Sequence, residues 1–70
     1  MKTQSEKMTA AAALELMIAK AEQAARELYD DVQSVDALNT TEWLFQTLGD
    51  ARAQAGTLQI VLSQGDNVFG

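Results

Sequence analysis

The sequence predicts an all-α fold: an antiparallel two-helix hairpin that dimerises into a four-helix bundle. Three observations predict it. Apolar residues recur in steps of three and four along both halves of the chain. The two stripes reflect onto each other about Leu38, inside Ser34-Val35-Asp36-Ala37-Leu38-Asn39-Thr40-Thr41, the one stretch dense in turn and capping residues. Proline is absent, so nothing inside the chain forbids long helices.

The amino terminus is polar. Residues 1–8 read as a flexible segment, with helix 1 over about 9–33 and Thr9 at its start. Thr3-Gln4-Ser5-Glu6 offers an earlier start as a capping box, in which Thr3 accepts from the Glu6 amide and Glu6 reaches back. Lys2 and Lys7 before Met8-Thr9-Ala10-Ala11-Ala12-Ala13-Leu14 faintly resemble a signal peptide. Glu15 interrupts the apolar run and Lys20 and Glu22 follow, so this stretch is read as helix. Glu22 and Arg26 stand four apart in the favourable order, a pairing of a few tenths of a kcal/mol at most.

A turn is expected at about 34–40. Asn39 with Glu42 three residues on is a near capping box, so helix 2 is expected over about 41–64. Gly65 supplies a left-handed residue at its end, and 65–70 forms a tail, either folded back through Val68 and Phe69 or exposed. Gly49 and Gly56 each weaken a helix by about 1 kcal/mol relative to Ala, so Leu48-Gly49-Asp50 leaves a three-helix alternative open. Thr57-Leu58-Gln59-Ile60-Val61-Leu62 has a strand-like composition, but an isolated strand would lack a pairing partner.

Folding at Leu38 defines the expected seam. It comprises Leu14, Ile18, Ala21, Ala25, Leu28 and Val32 on helix 1, and Leu44, Leu48, Ala51, Ala55, Leu58 and Leu62 on helix 2. Ala25 then faces Ala51 and Ala21 faces Ala55, with Leu28–Leu48, Ile18–Leu58 and Leu14–Leu62 on either side. Small against small lets the helix axes approach toward the lower end of the ~8–10 Å packing range. Other large apolar residues remain outside this seam, and a lone hairpin cannot enclose them all. The expected partner is therefore a second copy, with a candidate interface of Met17, Tyr29, Trp43, Phe45 and Ile60 around a groove made by Gly49, Ala53 and Gly56.

Composition narrows the chemistry. Seventy residues make at most one domain, marginal by itself. There is no cysteine and no histidine, which removes the usual thiol nucleophile, the commonest general base and the commonest metal ligand. The four glycines are scattered, without a phosphate-binding pattern. Glu27 and Asp31 share a helix face, but the calcium-loop spacing is absent. The expectation is a non-enzymatic protein with no cofactor and no metal. No apolar stretch approaches the ~20 residues of a membrane span, and a soluble cytoplasmic protein is expected.

The net charge is −5, and from Glu27 to Asp50 there is no Lys or Arg. Glu27, Asp30, Asp31, Asp36 and Glu42 gather at the turn end as a candidate docking surface for a basic protein. An acidic chain repels nucleic acid. The layout is similar to small RNA-binding helical hairpins of the Rop type, which dimerise into four-helix bundles; that likeness implies a nucleic-acid-associated regulator using Lys7, Lys20 and Arg26 across a dimer. The leading expectation is a protein–protein interaction or regulatory module. An acidic mimic occupying a basic protein's site is a further alternative.

Overall fold

A computed structural model of the chain describes residues 2–65. Helix α1 spans Gln4–Asp31 and helix α2 spans Val35–Ser63. They pack antiparallel as a hairpin about 52 Å long and 17 Å across, with no strand among the described residues.

Helix α1 starts at the capping box rather than at Thr9. The Glu6 amide donates to Thr3 Oγ1 at 3.1 Å, and the Thr3 amide donates to Glu6 Oε1 at 2.9 Å. Two otherwise orphaned amides are thereby satisfied, and residues 4–8 join the helix. The Thr3 amide, with its hydroxyl, holds the Glu6 carboxyl below its usual pKa.

The connection is also shorter than expected. Val32 turns extended, its amide still reaching Leu28 O at 3.0 Å, and Ser34 caps α2 by accepting from the Ala37 amide at 3.1 Å. Asn39 therefore lies inside α2 instead of capping it. Thr40 and Thr41 are accommodated because their hydroxyls donate back to the Asp36 and Ala37 carbonyls, at 2.8 and 2.7 Å. Helix α2 continues through Gly49 and Gly56, so neither the three-helix break nor a strand at 57–62 occurs. Gly65 has φ +102°, the left-handed conformation expected of it. The rest of the expected tail, residues 66–70, lies outside the described residues.

Between the helices, Ala11, Ile18, Ala25 and Val32 pack with Thr41, Leu48, Ala55 and Leu62, all buried or half-buried. Ile18, Ala25, Val32, Leu48, Ala55 and Leu62 belong to the expected seam, and Ala11 and Thr41 continue the same seven-residue series. The flanking row lies outside it. Glu15 meets Gln59, Glu22 meets Arg52, and Tyr29 meets Phe45. Each of these pairs is centred on position 37, one residue before the predicted mirror. Both helices are thus rolled away from the Leu14–Ala21–Leu28 and Leu44–Ala51–Leu58 rows.

The two glycines explain how carboxylates fit there. A Cβ on Gly49 would lie 3.3 Å from Glu22 Oε2, and one on Gly56 would lie 3.6 Å from Glu15 Oε2. Two carboxylates seven residues apart on α1 rest against two glycines seven apart on α2. The two glycines of the groove expected to receive another helix are met by carboxylates of the same chain, while Ala53 between them stays exposed.

Candidate interaction surface

The roll of the helices gives the hairpin two unlike sides. On the polar side Glu22 is only 4% exposed. Its Oε2 accepts from Arg26 Nη2 at 3.0 Å and Nε at 3.3 Å, while its Oε1 lies 3.2 Å from Arg52 Nε as an ion pair without a hydrogen bond. The Arg26 guanidinium also sits 4.8 Å above the Phe45 ring, which Tyr29 meets edge-on at 5.5 Å. Two helical turns away, the Gln59 side-chain amide donates to Glu15. The Gln4 side-chain amide donates to the Leu62 carbonyl at the open end. The Glu22–Arg52, Glu15–Gln59 and Gln4–Leu62 pairs cross from one helix to the other, and slipping the register would separate a nearly buried carboxylate from Arg52. Their chemical role is to hold one register.

The other side is apolar. Leu14, Leu28, Leu44 and Leu58 are 41%, 51%, 51% and 40% exposed. With exposed Ala21 and half-buried Ala51 they form three layers, Leu14–Leu58, Ala21–Ala51 and Leu28–Leu44, each centred on position 36. Leu14 and Leu58 flank an open groove of about 250 Å³ floored by Ala11 and Leu62, with Lys2 and Lys7 on its margin. By helical spacing Met17 and Val61 widen this side. Half of the expected seam therefore lies on an open face.

The core beneath is thin. The buried apolar residues are Ala11, Ala25, Ala55 and Leu62, and among the described residues no large side chain is fully buried.

The residues expected to form the interface are spread over several sides of the hairpin. Tyr29 and Phe45 pack against each other on the polar side, and Gly49 and Gly56 are covered by Glu22 and Glu15. Trp43, Ala53 and Ile60 are exposed on outward surfaces, while Met17 lies beside the leucine face. Glu27, Asp30, Asp31, Asp36 and Glu42 are all exposed and, by helical spacing, ring the turn end rather than share one face. Among the described residues no three carboxylates are grouped to hold a metal ion, and no helix is long and apolar enough to cross a membrane.

Glu15, Glu22, Arg52 and Gln59 were not expected as packing residues. The seven-residue spacing of Gly49 and Gly56, matching that of Glu15 and Glu22, was the available signal. No family model, curated protein or solved structure matches the chain.

Proposed function

We propose that this protein is a non-enzymatic helical interaction module that self-associates, two hairpins forming a four-helix bundle. The observation that supports this is the apolar side. Four leucines lie about half exposed in register over a core of three alanines and one leucine. Fully burying a leucine contributes roughly 1.5–3 kcal/mol, so a second layer of helices recovers a large part of what the single hairpin leaves in water. Small chains without staples commonly gain stability by oligomerisation.

The nucleic-acid alternative has less support. Arg26 is tied to Glu22 and stacked on Phe45, and the net charge of −5 opposes polyanions. Thermal melting across a hundredfold concentration range tests the proposal. A melting temperature that rises with concentration is expected, as mass action requires of a folded dimer. A melting temperature independent of concentration, or retention on immobilised RNA that salt abolishes, would overturn it.

A further inference from the structure

Resting on the reading that the chain self-associates, we infer that a second copy covers the leucine face head to tail. The two-fold axis crosses the helices at the Ala21–Ala51 layer. The layers themselves read Leu, Ala, Leu on both helices: Leu14, Ala21, Leu28 and Leu44, Ala51, Leu58. An axis crossing at the alanine layer sets each alanine against its own counterpart. Each leucine then meets the other leucine of the same row in the second copy. Large packs on large at the ends, and small on small at the centre lets the axes approach closely.

Charge chooses between the two possible axes. An axis lengthwise along the bundle would also match the layers, but it would bring the two turn ends together. Residues 21–51 carry seven acids and one base, whereas residues 2–20 and 52–64 carry four bases and two acids. Like charges gathered within a Debye length repel. The crosswise axis instead places each acidic turn end beside the other copy's open end, where Lys2 and Lys7 border the leucine groove. The polar side, with Glu22 and its arginines, faces away from the contact.

Because the chain has no cysteine, one introduced at exposed Thr9 carries a unique spin label. Thr9 lies twelve residues from Ala21. In the crosswise dimer two labels on Thr9→Cys stand roughly 36 Å apart along the bundle; in the lengthwise dimer they are separated only by its width, under about 25 Å. Dipolar spectroscopy is expected to give the long distance. Sedimentation of Leu28→Glu is expected to give monomer, and that of Ile60→Glu, on an outward surface, dimer. A dimer with the short distance, or one lost in Ile60→Glu and kept in Leu28→Glu, overturns this arrangement and leaves self-association standing. A wild-type chain that sediments as monomer at every concentration overturns both.

Discussion

Replacing each interhelical glycine by alanine separates two effects that usually act together. In a helix interior, Gly→Ala stabilises by about 1 kcal/mol through backbone entropy. At Gly56 the new methyl would lie 3.6 Å from Glu15 Oε2, an ordinary contact. Gly56→Ala is therefore expected to gain about 1 kcal/mol, a rise of roughly 4–8 °C in melting temperature for a domain of this size. At Gly49 the methyl would lie 3.3 Å from Glu22 Oε2, a carboxylate that is nearly buried and tied to both Arg26 and Arg52. That group must shift, and overpacking costs typically about 1–3 kcal/mol, so Gly49→Ala is expected to range from neutral to about 2 kcal/mol destabilised. Thermal and urea unfolding of the two variants, at one matched concentration, give the comparison. Equal stabilisation at both positions would show that Glu22 does not occupy the Gly49 niche. A loss at Gly56 would show that something closer than Glu15 packs there, and would return the glycine strip to the role of an intermolecular groove.

Other outcomes follow from the same geometry. Glu22→Ala and Arg52→Ala are expected to couple by more than about 0.5 kcal/mol in a double-mutant cycle, and additive losses would mean that the ion pair does not form. Ser34→Ala is expected to cost about 1 kcal/mol as the loss of an N-cap, with Asn39→Ala within about 0.5 kcal/mol of wild type; the reverse order would move the start of α2 back toward Asn39. The lowered pKa of Glu6 makes its capping contribution fully present above the ordinary carboxylate pKa and lost as pH falls through the lowered value. Amide exchange in the first turn of α1, corrected for its intrinsic pH dependence, is expected to speed up on acidification in wild type and to show no such step in Glu6→Gln.

Much of the hairpin was legible because its signals are local. The three-and-four apolar spacing, the Thr3–Glu6 box and Gly65 all act within one or two helical turns. The position of the turn was less so, since Asn39-Thr40-Thr41 carries the chemistry of a helix start yet satisfies its hydroxyls inside one, and Ser34 capped first. The seam was half legible. Ala11, Ile18, Ala25 and Val32 face α2 whichever way α1 rolls, but hydrophobicity favours the leucine row as the second line of contact. The structure instead turns Glu15, Glu22 and Tyr29 inward. That choice depends on partners in the other helix: glycines that make room for carboxylates, and an arginine and a glutamine placed to meet them. No single-helix periodicity contains such information. The leucine row is apolar, yet the hairpin leaves its leucines about half exposed.

Sedimentation equilibrium of the wild-type chain, from low micromolar to millimolar concentration, tests most directly whether the leucine face is completed by a second copy. The expected result is a reversible approach to twice the 7.6 kDa chain mass, with the dimer weakened by Leu14→Glu or Leu58→Glu. A chain that stays at 7.6 kDa throughout, folded and melting cooperatively, would show that the single hairpin is stable with its leucines in water and would contradict the proposed assembly.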